Sequence, residues 1–360
     1  MIVIHSIILL LTFYLLAIIC DRYFVEALDR ISKRLKLSSE VTWATFMAIG
    51  SSAPELFTSI FAIFAIFGGW WWNESLWAGT IVGSAIFNIL AIIWASIIAM
   101  KKVKKLAWQP IIRDLIFYSL AIVLLLITFW DGQITFVETW IFVVSYIVYI
   151  FIVKNWSKWL NYEIKDDPVK DVEEDVQKNP ITRFTSKILD IIIPNVNISK
   201  NSFWRTFVVS IVLIAALSHF MVESAVHVAE ILSIPKAIIW LTILAAGTSI
   251  PDLISSIIVA KRWKWDMAIS NAVWSNIFDI LFGLGFVYFV YMLVYGTSST
   301  IIVDTHNLNS SIILLFATVI TILSVLILRR WKTGKFIWYM LIVIYCVYLI
   351  FNILKACGVF

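Results

Sequence analysis

Charged side chains are scarce in this sequence. Asp, Glu, Lys and Arg make up 14% of its 360 residues, against about 25% in an average soluble domain. Hydrophobic residues make up 61%, and the mean hydropathy is +0.94. A soluble core cannot bury so much apolar surface, which excludes an ordinary soluble protein. We therefore expect a polytopic membrane protein.

Cysteine and histidine are also rare, which excludes several kinds of site. The three cysteines lie far apart without a Cys-x-x-Cys spacing, so the sequence predicts neither a disulfide framework nor a zinc module. The four histidines show no metal-binding spacing. The apolar segments contain no nucleophile–base pair, so we expect neither an enzyme nor a prosthetic group. We attribute the net charge of +5 to membrane topology and expect no nucleic-acid partner.

Long apolar segments define the fold class. A helix needs about 20 mostly apolar residues to cross a bilayer. We predict an all-α membrane protein with ten transmembrane helices, at 2–20, 40–67, 76–99, 112–130, 134–153, 206–232, 237–260, 266–292, 310–328 and 336–354.

The positions of Lys and Arg orient these helices, because cytoplasmic connections are enriched in basic residues. With the N-terminus outside, all but two of the 28 Lys and Arg residues fall in inward connections, the exceptions being Lys236 and Lys355. We therefore expect both termini outside. We also expect an integral protein of a prokaryotic plasma membrane, whose partners are membrane lipids and inorganic cations.

One hydrophilic segment divides the chain. We predict an N-terminal five-helix half at 1–153, a cytoplasmic linker at 154–204 and a C-terminal five-helix half at 205–360. An acidic cluster in the linker has two interpretations, a solvated connection or a calcium-sensing patch. Its members are Asp166, Asp167, Asp171, Glu173, Glu174 and Asp175.

The two halves contain the same phrases. WATFMAIGSSAPELFTSI (43–60) aligns with WLTILAAGTSIPDLISSI (240–257), and TIVGSAIFNIL (80–90) aligns with NAVWSNIFDIL (271–281). Because each half has an odd number of predicted helices, we expect two inverted five-helix repeats. Transporters built this way bind their substrate near the bilayer midplane, where broken helices meet.

The first phrase places a proline and a carboxylate in mid-span, as Pro54-Glu55 and Pro251-Asp252. We expect each proline to break its helix and to free carbonyl groups around Ala48 and Ala245. A carboxylate at a helix centre costs at least about 2.5 kcal/mol on insertion scales. Since these spans contain no Lys or Arg, the sequence predicts that a bound cation neutralises the carboxylates.

The second phrase adds further oxygen ligands. Ser84 and Asn88 are four residues apart, as are Ser275 and Asp279, so each pair shares one helix face. Hydroxyl, amide and carboxylate oxygens suit hard cations such as Ca²⁺ and Na⁺.

These phrases resemble the two α-repeats of the Ca²⁺/cation antiporter superfamily. GSSAPELFTS and AAGTSIPDLISS, with TIVGSAIFNIL and NAVWSNIFDI, look most like the K⁺-dependent branch of the sodium/calcium exchanger family. The similarity covers about 21–100 and 235–286 and is only topological elsewhere. The resemblance implies ten helices, an outward N-terminus and alternating access, with Na⁺ entry driving Ca²⁺ export.

The resemblance also implies roles for individual residues. Glu55 and Asp252 would be the central Ca²⁺ carboxylates. Four positions would be shared between the Ca²⁺ site and flanking Na⁺ sites: Ser51, Thr248 and the backbone oxygens of Ala48 and Ala245. Ser52, Ser84, Asn88, Ser249, Ser275 and Asp279 would complete the Na⁺ sites. In the K⁺-dependent branch an aspartate at the position of Asp279 is linked to K⁺ use, so K⁺ co-transport stays open.

Two other functions compete with Na⁺/Ca²⁺ exchange. A Ca²⁺/H⁺ antiporter has the same fold, and protons would then replace Na⁺ at Glu55 and Asp252. A cation channel also uses carboxylates, but channels usually form rings by oligomerisation, whereas this chain would build its site from two internal copies.

Tryptophan is over-represented and glycine under-represented. The chain has 18 Trp and 12 Gly, whereas an average usage of about 7% predicts roughly 25 Gly. We hypothesise that several tryptophans are glycine codons (UGA in some lineages) translated with the wrong code. UGG codons in the gene would exclude this. The suspect positions, where the family usually has glycine, are Trp43, Trp77, Trp94, Trp240, Trp263, Trp265 and Trp274.

Overall fold

The computed structural model is almost entirely α-helical, as the composition predicts. It describes residues 2–63, 74–100, 105–160, 180–194, 202–233, 242, 245–261, 265–298, 300–303 and 305–356.

The described residues up to 194 form seven helices and one short strand. They are α1 (Ile2–Leu35), α2 (39–51), α3 (Ala53–Ile63), α4 (74–99), α5 (Trp108–Thr128), β1 (Gln133–Ile134), α6 (Phe136–Trp159) and α7 (Pro180–Ile192).

Six helices and a second short strand follow. They are α8 (Ser202–Ile231), α9 (Ala245–Thr248), α10 (Ile250–Lys261), α11 (265–295), β2 (Ile301–Ile302), α12 (Thr305–Leu328) and α13 (Lys335–Ala356).

Eight described helices are long and apolar enough to cross a membrane. They correspond to eight of the ten predicted spans. The other two predictions, 40–67 and 237–260, coincide with interrupted helices, and part of each lies outside the described residues. The count of ten therefore stays a prediction.

The interruptions have a common cause. The α2 helix ends at Ser51, Ser52 has non-helical torsion angles (φ −89°, ψ 10°), and α3 begins at Ala53. Pro54 is thus the second residue of the new helix, where its missing N–H has no helical partner to lose. Ser249 interrupts the other phrase in the same way, directly before α10.

One part of the expected break is wrong. The carbonyl of Ala48 is not freed, because it accepts the backbone N–H of Ser52 at 2.9 Å. The Ala245 carbonyl accepts the hydroxyl of Thr248 at 3.3 Å, and each of the two carbonyls keeps a second lone pair for a cation. The physical reason is the helix register: a proline withholds its N–H from the carbonyl four residues earlier, which for Pro54 is that of Gly50.

Two wide helical turns mark the second phrase in both halves. A π-helical segment runs from Asn88 to Ile92 in α4, and another runs from Asp279 to Leu284 in α11. Such segments are rare in helices and are frequently found at functional sites. Each begins at the polar residue that the repeat placed in mid-span.

A glycine allows close approach beside the first interruption. A Cβ atom at Gly50 would overlap the ring of Phe24, which is fully buried in α1. The absence of a side chain at Gly50 therefore lets α1 pack directly against the end of α2 that carries Ser51.

Short backbone pairings join connections from the two halves at both ends of α5. Beyond its C-terminus, β1 pairs antiparallel with β2, with Gln133 opposite Ile302. Before its N-terminus, Leu106 donates its N–H to the Trp331 carbonyl at 2.8 Å.

The predicted linker contains an ordered helix. The α7 helix lies within 154–204, and its Asp190 pairs with Arg22 at 2.9 Å and accepts the hydroxyl of Tyr23 at 2.8 Å. This docks the linker helix on the middle of α1. The acidic cluster at 166–175 lies outside the described residues.

Candidate cation site

Three carboxylates from three helices meet inside the protein. Oxygens of Glu55, Asp252 and Asp279 all lie within 4.8 Å of one another. Their side chains belong to residues that are only 1%, 0% and 2% exposed. The chain thus brings its three mid-span carboxylates into one buried cluster.

The helix breaks place two of these carboxylates. Glu55 and Asp252 are each the third residue of the helix that follows the interruption, α3 and α10. The first turn of a helix favours negative charge, because its N–H groups are unpaired and the helix dipole is positive there. Each break therefore points a helix N-terminus at the cluster.

Residues from one half pair with residues from the other around this cluster. The hydroxyl of Ser249 donates to Oε1 of Glu55 at 3.0 Å. Nδ2 of Asn88 donates to Oδ2 of Asp252 at 3.2 Å and to Oγ of Ser275 at 3.3 Å. These contacts join segments 164 to 194 residues apart in sequence.

Four buried hydroxyl groups of the predicted ligand set donate to backbone carbonyls. Each donates its proton to a carbonyl of its own helix, so its lone pairs remain to accept or to ligate. The pairs are Ser51 to Met47 (2.9 Å), Ser84 to Ile81 (2.9 Å), Thr248 to Ala245 (3.3 Å) and Ser275 to Asn271 (3.0 Å).

Several oxygens in the cluster have no hydrogen-bond partner. They are Oε2 of Glu55, Oδ1 of Asn88, Oδ1 of Asp252 and Oδ2 of Asp279. Among the residues that the structure describes, no Lys, Arg or His forms an ion pair with the three carboxylates. Buried polar groups are normally paired, so we expect a bound cation to contact these oxygens.

Electrostatics favours the same interpretation. Two like charges no more than 4.8 Å apart repel by roughly 3 kcal/mol or more at an effective dielectric constant of about 20. The repulsion among three such charges is removed when cations lie between them. An all-oxygen donor set suits Na⁺, K⁺ or Ca²⁺ rather than a soft transition metal.

All twelve predicted ligand positions are described and buried. The structure brings Glu55, Asp252, Asp279, Asn88 and Ser249 into the contacts given above, and Ser52 lies beside Asp279. Ser51 and Ser275 lie beside Asp252. The remaining four, Ala48, Ser84, Ala245 and Thr248, are 0–1% exposed on the same helices.

One residue of this network is missing from the prediction. Asn276 accepts Nδ2 of Asn88 at 2.9 Å and donates to the Ala85 carbonyl at 3.0 Å and to Oη of Tyr118 at 2.9 Å. It therefore helps to hold Nδ2 of Asn88 in the position from which it also donates to Asp252 and Ser275. The sequence does contain a signal for this residue, because Asn276 has an amide side chain where the aligned residue of the first half is Ala85.

Replacing Asn276 with Ala is expected to weaken cation binding by about 10- to 100-fold, the usual effect of removing a residue that orients a metal ligand. The amide of Asn88 would lose one of its three acceptors and would be held less firmly beside Asp252. The measurement is the apparent Ca²⁺ affinity of the purified protein. Asn155→Ala, at an exposed helix end, is the matched control, and equal affinities in both variants would contradict the assignment.

A second buried network lies next to this site. Arg113 bonds Asp114 through Nε (2.8 Å) and Nη2 (3.2 Å), and Glu40 through Nη1 (3.0 Å). Asp114 also accepts the hydroxyl of Tyr149 at 3.0 Å and Nε1 of Trp274 at 2.8 Å. It ties α11, just before Ser275, to α2, α5 and α6.

The suspect tryptophans have different surroundings. Among the described residues, Trp274 is the largest fully buried side chain, and Trp43 is 2% exposed. The ring of Trp94 stacks on that of Trp338 at 6.5 Å. Trp240 and Trp263 lie outside the described residues, as do the side chains of Trp77 and Trp265. The glycine hypothesis stays a prediction for all seven.

Comparison with known proteins decides the family. The sequence profile described as "Sodium/calcium exchanger protein" matches residues 5–154 and 202–354, most of the chain. The chain belongs to the sodium/calcium exchanger family. This confirms the resemblance seen in the two repeated phrases, and makes the protein a membrane-spanning cation exchanger.

Curated relatives of this exchanger carry potassium in their names. Human sodium/potassium/calcium exchanger 4 is 26% identical over the whole chain and 82% of its own length. Human sodium/potassium/calcium exchanger 3 is 27% identical, over the whole chain and 81% of its length. Chicken sodium/potassium/calcium exchanger 1 is 26% identical over 98% of the chain and 79% of its length.

A solved structure shares the fold of this exchanger. The sodium-calcium exchanger NCX_Mj, soaked with Na⁺ and Sr²⁺, matches with a TM-score of 0.66 and 21% sequence identity. The match covers 96% of this chain and 98% of that one.

Proposed function

We propose that this exchanger moves Ca²⁺ against Na⁺ across a plasma membrane by alternating access, through the cluster of Glu55, Asp252 and Asp279. The observation that carries the proposal is the meeting of three buried carboxylates that form no ion pair with a cationic side chain in the described part of the chain. Glu55 and Asp252 would hold Ca²⁺, together with Ser51, Thr248 and the carbonyl oxygens of Ala48 and Ala245. Asp279, Asn88, Ser52, Ser84, Ser249 and Ser275 would complete the Na⁺ sites.

Competition for shared oxygens would couple the two ions. The same carboxylates neutralise either one Ca²⁺ or several Na⁺, but cannot hold both sets together. An ion changes the balance of inward- and outward-facing states only through different affinities for them. A filled cluster would permit the change, whereas an empty one would retain the repulsion among its charges.

The proposed topology has ten helices in two inverted halves, with both termini outside and the 154–204 linker in the cytoplasm. The backbone pairings support this arrangement, because Gln133–Ile302 and Leu106–Trp331 lie at opposite ends of α5. The predicted orientation puts the first pair outside and the second pair inside.

Potassium co-transport is proposed as part of the cycle. Its support is the name shared by the curated relatives and the position of Asp279, which adds a third carboxylate to the cluster. A further negative charge allows one more monovalent cation to be bound with Ca²⁺ without leaving net positive charge in the site.

Ion flux in reconstituted vesicles tests the proposed function. We expect Ca²⁺ uptake only when Na⁺ is trapped inside, and faster uptake when K⁺ is added outside with Ca²⁺. Na⁺, K⁺ and pH are varied separately. Uptake driven by a pH gradient without Na⁺ would favour a Ca²⁺/H⁺ antiporter, and Ca²⁺ leakage without any opposing gradient would favour a channel. Either result would overturn Na⁺/Ca²⁺ exchange.

A further inference from the structure

Two histidines meet at the ends of two packed helices. His5 lies in the second turn of α1, and His227 lies in the last two turns of α8. Their ring centroids are 5.0 Å apart, with an angle of 40° between the ring planes. They are 222 residues apart in the chain, which is why no sequence spacing connected them.

This separation fits two ligands of one tetrahedral ion. Zn²⁺ binds a histidine nitrogen at about 2.0–2.1 Å in tetrahedral geometry. With the radius of an imidazole ring added, two rings on one such ion have centroids roughly 5 Å apart. The distance between the rings of His5 and His227 is therefore one that a shared metal ion allows.

The surroundings of the pair resemble those of metal-binding histidines. Nδ1 of His227 lies 3.3 Å from Oε2 of Glu230, one turn later on α8. A carboxylate on one ring nitrogen holds the proton there and directs the other, Nε2, to a metal. In the other histidine, His5, the ring nitrogen Nδ1 is buried and has no hydrogen-bond partner.

The pair can be reached from outside the protein. An open cavity of about 560 Å³ is bounded by both histidines, Glu230 and the apolar residues Ile2, Val3 and Ile231. Water can fill the remaining coordination positions there. Imidazole nitrogen suits Zn²⁺, Cu²⁺ and Ni²⁺, whereas Ca²⁺ takes oxygen ligands. The chemistry thus differs from that of the carboxylate cluster.

We propose that His5 and His227 bind one Zn²⁺-type transition metal ion, which bridges the start of α1 to the end of α8, with Glu230 orienting His227. This is a second metal site, separate in position and in ligand chemistry from the transport site. It does not depend on which ions are exchanged.

Zn²⁺ titration of the purified protein by calorimetry tests the site. A background with Cys346→Ser and Cys357→Ser removes the thiol that is exposed among the described residues and that of the third cysteine, and saturating Ca²⁺ fills the carboxylates. We expect one Zn²⁺ per chain, with affinity reduced at least tenfold in His5→Ala and His227→Ala. Glu230→Gln should weaken it about tenfold. His219→Ala, on the same helix but outside the cavity, should bind normally.

Two results would overturn the proposal. One is equal Zn²⁺ affinity in His5→Ala and in the unchanged protein. The other comes from Cu²⁺ used in place of Zn²⁺: its EPR spectrum should show two imidazole nitrogens, and a single nitrogen would exclude a bridge between α1 and α8. Retained Ca²⁺ binding in each variant shows that the protein is folded, so a loss of Zn²⁺ reports on the site.

Discussion

Replacing Glu55 with Gln, or Asp252 with Asn, is expected to abolish Na⁺-driven Ca²⁺ transport. Each change keeps the shape of the side chain and removes one negative charge next to the cation. A unit charge about 4 Å from another is worth about 4 kcal/mol at an effective dielectric constant of 20, which corresponds to more than 100-fold in affinity. The measurement is Na⁺-dependent ⁴⁵Ca²⁺ uptake into vesicles.

An exposed glutamate provides the matched control for that experiment. Glu223 lies on α8 and is exposed, so Glu223→Gln should transport Ca²⁺ at the unchanged rate. Ca²⁺ uptake at or near the unchanged rate in Glu55→Gln would place the transport site elsewhere. The size-exclusion profile of each variant shows whether the protein is intact.

Replacing Arg113 with Met is expected to destabilise the exchanger by about 3 kcal/mol or more, the usual result of leaving buried partners without their counter-ion. Arg113 and Asp114 are each 1% exposed, and Glu40 is 6% exposed. Tyr149 and Trp274 would still donate to Asp114, whereas Glu40 would lose its ion pair with Arg113. The measurement is the thermal unfolding midpoint in detergent.

Arg22→Met is the control for Arg113, because its ion pair with Asp190 is exposed (41% and 34%). Exposed pairs contribute about 0–1 kcal/mol, so this variant should unfold close to the normal temperature. If the two arginine variants unfold at the same temperature, Arg113 does not hold the helices together. Adding Asp114→Asn and Glu40→Gln to Arg113→Met should recover part of the stability, since no buried charge then lacks a partner.

The repeated phrases explain why so much of the candidate site could be predicted. Pro54 and Pro251 mark helix breaks through local backbone chemistry, and the carboxylate after each is placed by the first turn of the new helix. Asp279 and Asn88 begin wide turns at the corresponding positions of their helices. The helix breaks and the wide turns each depend on residues that are close in sequence. Because the same residues recur in the repeat, these features can be recognised from the sequence.

What the sequence did not reveal depends on contacts between distant segments. Asn276 acts through Asn88 and Tyr118, each more than 150 residues away. Arg113 and Asp114 lie at the start of the predicted span 112–130, and only the packing of distant helices places Glu40 and Trp274 against them. The helix break exists as predicted, but its register differs from the prediction. The carbonyl of Ala48 accepts the backbone N–H of Ser52.

The two halves of the chain contribute different side chains to the cluster. Asn88 in one half stands where the other half has Asp279, and Ala85 stands where the other has Asn276. If the halves are inverted copies, a site with identical halves would look the same from both sides of the membrane. Here the third carboxylate and the amide that supports Asn88 both belong to the second half. The exchanger should therefore be asymmetric, with different half-saturating Ca²⁺ concentrations at its two faces.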